Sequence, residues 1–115
     1  MTDKAFWEAM AGLAAGRPLV IDRPAGSTHP RFPGCVYPLD YGYVEGTTSG
    51  DGDGIDVWVG SLPERDLTGI LCTYDSLKRD AEIKLLLGCS PEDIETVIEF
   101  SRGGMSAIFI PNPNF

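Results

Sequence analysis

Asp51, Asp53 and Asp56 stand two and three residues apart, with Gly50, Gly52 and Gly54 set before and between them. Glycine lets the backbone fold tightly, so these carboxylates can converge. Converging carboxylates repel one another and stay ionised together only with a cation between them. Hard oxygen ligands select Mg²⁺, Mn²⁺ or Ca²⁺ over zinc. The bland reading of the same residues is an exposed Asp-Gly hairpin turn. An EF-hand is excluded by register: counted from Asp51, positions 5 and 6 are Ile55 and Asp56, and position 12 is Leu62, not Glu. The chain contains no P-loop, no dinucleotide-binding glycine fingerprint and no G-x-S-x-G elbow.

The elements that must position these residues belong to a small chain of 115 residues. With 43% apolar and 23% charged residues it is expected to be a globular single domain over residues 1–115. A net charge of −8 argues against nucleic-acid and anionic-membrane partners, whose binding needs clustered cations. That charge is unevenly spread. No Lys or Arg occurs from Phe32 to Glu64, whereas Asp40, Glu45, Asp51, Asp53, Asp56 and Glu64 all fall there. A single histidine, His29, excludes two-His zinc sites. Cys35, Cys72 and Cys89 form no C-x-x-C pair and read as reduced apolar fillers in a cytoplasmic protein; a nucleophilic cysteine would have only His29 as its base. No apolar run approaches the length of a membrane span, and the first ten residues do not resemble a signal peptide.

Two helices are predicted. The first has Thr2 as N-cap, an inner stripe of Phe6, Trp7, Met10, Leu13 and Ala14, and Gly16 and Pro18 as its stop. The second runs from about Pro91 to Arg102, capped by Ser90, with Glu92 and Asp93 at its positive end and Ile94, Val97, Ile98 and Ser101 facing inward. Short β-prone runs span Pro18 to Ile21, Val36 to Tyr37, Tyr43 to Glu45, Ile55 to Val59, Gly69 to Tyr74, Glu82 to Leu87 and Ser106 to Ile110. Many short strands with few helices predict a mainly β (α+β) fold, a small closed or partly open barrel with an N-terminal and a C-terminal helix. On such a strand Glu82 and Lys84 point to one face, as two residues of one site must.

The run Pro38-Leu-Asp-Tyr41-Gly-Tyr43, a spacer, then Ser49-Gly-Asp51-Gly-Asp53-Gly-Ile-Asp56-Val resembles the soluble family I inorganic pyrophosphatases. Their signature is D-[SGDN]-D-[PE]-[apolar]-D, preceded by an N-Y-G-Y-like segment, and the resemblance covers roughly residues 18 to 87. It implies an OB-like β-barrel that uses Mg²⁺, or Mn²⁺ in its place, to hydrolyse pyrophosphate to two phosphates. Asp51 and Asp56 would hold the first metals, Asp53 would orient or deprotonate the water, and Tyr41 would touch a phosphate oxygen. In Asp80-Ala-Glu82-Ile-Lys84, Glu82 or Asp80 would be a metal ligand and Lys84 a phosphate contact; Asp22 resembles a further acidic ligand. Arg31 or Arg23 would replace a phosphate-binding cation.

The chain departs from the family at Gly54, where Pro or Glu is usual, and in having only Arg102 near the place of a late Tyr-Lys pair. The alternative is therefore a pyrophosphatase-like module that binds divalent metal with little catalysis. The resemblance also implies a homo-oligomer, expected to be smaller than the hexamers common among bacterial members.

Overall fold

The computed structural model describes residues 3–115, so the Thr2 cap lies outside the described residues. The chain runs α1 (Lys4–Gly16), β1 (Leu19–Arg23), β2 (Asp40–Val44), β3 (Asp56–Val59), β4 (Leu67–Asp75), β5 (Asp80–Leu87), α2 (Pro91–Ser101) and β6 (Ser106–Pro111). The strands form one sheet in the order β1-β2-β3-β5-β4-β6. Only β3 and β5 are parallel; every other neighbouring pair is antiparallel.

Alternation along the strands separates two apolar layers. Val57, Val59, Leu85 and Leu87 turn to the layer closed by Trp7, Met10, Leu13 and Ala14 of α1. Trp58, Leu71 and Leu86 turn to the opposite layer, which Ile94, Val97 and Ile98 of α2 close. A bulge between Leu67 and Gly69 puts both Leu67 and Ile70 on the α1 side. Both helices thus bury the stripes their periodicity predicts, except that Phe6 stays 40% exposed and meets Trp7 edge-on. At the start of α2, Ser90 accepts from the Asp93 amide and Asp93 from the Ser90 amide, a complete capping box.

The expected barrel does not close. β1 pairs only with β2 and β6 only with β4, leaving the two as edges of an open α+β sheet. Closure would need β1 to meet β6, whereas each face of the sheet is covered by a helix. The Val36–Tyr37 run is not a strand. Val36 makes one isolated bridge to Thr28, because Pro33 and Pro38 on either side supply no amide to extend a ladder. β2 begins earlier than predicted, at Asp40, since Tyr41 and Gly42 pair with Trp58 and Val57. Gly42 is required there: a Cβ would run into the Val20 carbonyl of β1.

Candidate active site

Register brings four of the predicted residues, Tyr41, Asp56, Glu82 and Lys84, to one face. Tyr41 lies opposite Trp58, Tyr43 opposite Asp56, and the parallel β3–β5 pairing sets Trp58 beside Leu86, so Asp56, Glu82 and Lys84 extend the same face. β3 pairs with β5 only from Val57 and Leu85 onward. The 45–55 loop passes beside the β5 segment that β3 leaves unpaired, carrying Asp51 to Glu82.

The loop is tied internally. Thr47 Oγ1 donates to the Val44 carbonyl at 2.7 Å and accepts from the Ile55 amide at 2.9 Å. Asp51 Oδ1 accepts from Ser49 Oγ at 2.5 Å and from the Asp53 amide at 2.9 Å. Gly52 has φ +90°, a conformation side chains rarely adopt. Gly54 lies under the Tyr43 ring, 2.7 Å from where a Cβ would sit, which accounts for glycine in place of a larger residue.

Lys84 is the centre of the cluster. Its ammonium is buried and donates to Tyr41 Oη at 2.7 Å, Asp56 Oδ2 at 2.8 Å and Glu82 Oε1 at 3.3 Å. Burial opposes its charge, but the Tyr41 oxygen and the Asp56 carboxylate outweigh burial and hold its pKa above the ordinary lysine value. Burial also raises the Tyr41 phenol, against the pull of Lys84, so Tyr41 stays protonated. The aromatic rings of Tyr37 and Trp58 flank Tyr41 at centroid distances of 5.6 and 4.6 Å.

The Asp51 and Glu82 carboxyls bear on each other's ionisation, and the two split. Burial raises the Glu82 carboxyl, and Asp51 adds to the rise against the opposing charge of Lys84. The Ser49 hydroxyl, then the Asp53 amide, hold Asp51 below the usual carboxylate range. Two carboxyls that disfavour joint ionisation in this way offer oxygens where a cation could stand.

The other predicted residues lie further out. Asp53 is exposed on the loop, and its amide, not its carboxylate, supports Asp51. Asp22 is exposed where β1 bulges, and Asp80 stands opposite Asp75 at the head of β5. Of the Asp80 and Glu82 alternatives, Glu82 is the one that accepts from Lys84. Arg23 pairs with Tyr41 in the ladder and donates to the Asp22 carbonyl at 3.4 Å; Arg31 is exposed in the loop before Tyr37. Among the described residues no group of three or more His, Cys, Asp or Glu side chains is arranged to hold a metal ion. The three aspartates therefore do not converge as a triad, because Ser49 and Lys84 engage Asp51 and Asp56 separately.

This fold can be compared with known ones. Over 66% of the present chain and 64% of the other, it superimposes on an inorganic pyrophosphatase from Coxiella burnetii with a TM-score of 0.55 and 18% sequence identity. The fold resembles that of an inorganic pyrophosphatase. An inorganic phosphatase from Anaplasma phagocytophilum matches 66% of this chain and 61% of its own at 18% identity, with a TM-score of 0.48. The chain thus spans less than two thirds of the length of either structure. No protein-family model matches the sequence, and no curated protein matches it. No helix among the described residues is long and apolar enough to cross a membrane.

Sequence reasoning passed over Thr47, Ser49 and Tyr37. Thr47 falls in the spacer and Ser49 in the motif without a role, although a hydroxyl two residues before an aspartate is a recurrent loop lock. Tyr37 was read only as a strand residue, and its place against Tyr41 depends on a stack that spacing does not reveal.

Proposed function

We propose that this protein hydrolyses inorganic pyrophosphate, or a related small diphosphate, to phosphate with Mg²⁺ as cofactor and Mn²⁺ as a substitute. The observation that carries the reading is the buried Tyr41–Lys84–Asp56–Glu82 cluster, extended to Asp51, at one face of a pyrophosphatase-like sheet.

The donor set fits a hard cation. Asp51 and Glu82 offer carboxylate oxygens that crowd each other, and Mg²⁺ is commonly held by one or two carboxylates plus water and substrate phosphate rather than by an all-protein cage. Asp51 and Glu82 would hold it, with Asp56 on the same face. When bound, the cation supplies charge neutralisation and activation of water. The chain's own groups do the rest. Lys84, kept protonated by Asp56 and Tyr41, presents fixed positive charge to phosphoryl oxygens. Tyr41 stays a neutral phenol able to donate a hydrogen bond. Asp53, exposed beside Asp51, accepts the proton of the attacking water. Arg23 and Arg31 offset remaining substrate charge, and Asp22 and Asp80 are outlying carboxylates for further cations.

The test is phosphate release from pyrophosphate with Mg²⁺, alongside Asp53→Asn. Turnover that requires Mg²⁺ and is lost in the variant is the expected result; no turnover of any diphosphate with Mg²⁺ or Mn²⁺ overturns it. One observation favours the alternative, a divalent-metal-binding module with weak catalysis: Lys84 is already engaged by three neighbours and Arg31 lies on an exposed loop. Calorimetry separates the two, since the module binds metal without binding metal-pyrophosphate tightly. The three free thiols suit a reducing, cytoplasmic setting, and a homo-oligomer is the assembly we expect.

A further inference from the structure

The open sheet has two edge strands, and they are finished differently. β1 carries the charges of Asp22 and Arg23 and is broken by the bulge between Ile21 and Arg23, features that keep a sheet edge from pairing with another chain. β6 has neither. Its register with β4 runs unbroken from Gly69 opposite Pro111 to Tyr74 opposite Ser106, and no charged side chain occurs from Gly103 to Phe115. Its one proline, Pro111, stands at the last position of the strand. A regular, uncharged edge of six residues offers its unpaired amides and carbonyls as a template for one more strand.

The ladder identifies the free groups. The Asn112 amide donates to the Thr68 carbonyl at 3.0 Å, so by antiparallel alternation Ile110, Ile108 and Ser106 bond to β4, while Ala107 and Phe109 turn their amides and carbonyls outward. The side chains of Ala107 and Phe109 pack in the layer that α2 closes. Ile108 points to the other face, in one row with Cys72 and Ile83, and is 62% exposed; Ile110 is exposed on the same face. Two copies of a chain of net charge −8 repel each other, and along this edge they can approach with no charged side chain on either strand.

We infer that β6 is a self-association surface whose partner is β6 of a second copy, paired antiparallel about a two-fold axis at Ile108. That register is self-complementary, as a two-fold interface requires. Ala107 of each copy exchanges backbone hydrogen bonds with Phe109 of the other. The two Ile108 side chains meet across the axis, in the non-hydrogen-bonded position where opposing side chains stand closest. The α2 layers of both copies then lie on one side of a continuous sheet, and the exposed isoleucines form one apolar strip on the other. The pairing closes at two copies, because each sheet has a single edge of this kind. It is independent of the hydrolytic reading, since Tyr41, Asp56, Glu82 and Lys84 lie on β2, β3 and β5.

The test is sedimentation of the full chain across a dilution series. Dimers are expected, and Ile108→Lys should convert them to monomers by setting two like charges against each other, with the circular dichroism spectrum unchanged. Leu77→Lys, at a more exposed apolar residue between β4 and β5, should leave the dimer intact. Ile108→Cys reads the register. Cα atoms in such a pair stand about 4.5 Å apart, within disulfide reach, so mild oxidation should give a covalent dimer well ahead of wild type and of Leu77→Cys. Monomers at every concentration overturn the inference and leave the edge to an extended segment of another protein. A dimer that survives Ile108→Lys, or in which Ile108→Cys gives no bridge, overturns it as well by placing the interface elsewhere.

Discussion

The two faces of the sheet are built on opposite principles. Toward α1 the strands present aliphatic side chains, with Val44, Val57, Leu85 and Leu87 all but inaccessible to water. Toward α2 they present the rings of Tyr41 and Trp58, which Tyr37 from a loop and Phe100 from α2 join, and a buried ammonium. Lys84 and Leu85 are adjacent in the chain yet belong to different worlds: one is held by three polar partners, the other by packing alone. The aliphatic face can carry the stability of the fold, which lets the aromatic face hold charge where a core would not tolerate it. Charge is admitted where strand pairing ends, beside the loop that brings Asp51 in.

Exchanging the roles of these neighbours gives the largest effects. Lys84→Met should abolish diphosphate hydrolysis and cost about 3 kcal/mol in urea unfolding, because Asp56 and Glu82 lose their shared counter-charge. Leu85→Ala should cost a similar amount, about 2–5 kcal/mol, through a cavity, yet retain turnover in the folded fraction. If both variants lose turnover equally while folded, the division between the faces is wrong. Asp53→Asn sharpens the contrast from the other side. It should lower turnover by about a hundredfold or more with stability within about 0.5 kcal/mol of wild type, since the side chain is exposed. Gly54→Ala should cost about 1–3 kcal/mol by pressing a methyl group into the Tyr43 ring, with a lower affinity for Mg²⁺ as the loop shifts.

The smallest effect concerns the α2 side and acid. Burial would raise the Asp93 carboxyl, but amides and hydroxyls of Ser61 and Ser90 outweigh it and hold it below the usual range. A depressed carboxylate stabilises the fold above its unfolded-state pKa, and that contribution disappears as pH falls through the folded value. Asp93→Asn should therefore lose about 1 kcal/mol at neutral pH, the ordinary worth of a helix cap, and differ less from wild type in strong acid. Thermal unfolding of both proteins across the acid range measures this; parallel curves would count against it.

Much of this was readable from residue types and order. The caps and stripe of α2, the turn chemistry of the Asp-Gly loop and the common face of Glu82 and Lys84 all follow from local rules, and the structure keeps them. What was not readable depends on pairings between distant segments. The open sheet turns on β1 and β6 failing to meet, and periodicity has no term for that. Likewise, spacing alone placed Asp51, Asp53 and Asp56 together, whereas Asp51 finds Glu82 and Asp56 finds Lys84 across the sheet. In the sequence Gly54 is only a departure from Pro or Glu, and the need of the Tyr43 ring for its space depends on β2.

The parallel pairing of β3 with β5 bears on the order in which the molecule assembles. β4 and β5 are consecutive and close over a short turn, with Asp75 opposite Asp80. The Asp56–Lys84 contact instead joins residues 28 positions apart, with all of β4 between them. Closing that larger loop costs more chain entropy, so it follows the hairpin. Removing the Lys84 ammonium should then speed unfolding more than it slows folding. A nascent chain would have its hairpin before it had any means of touching a phosphate.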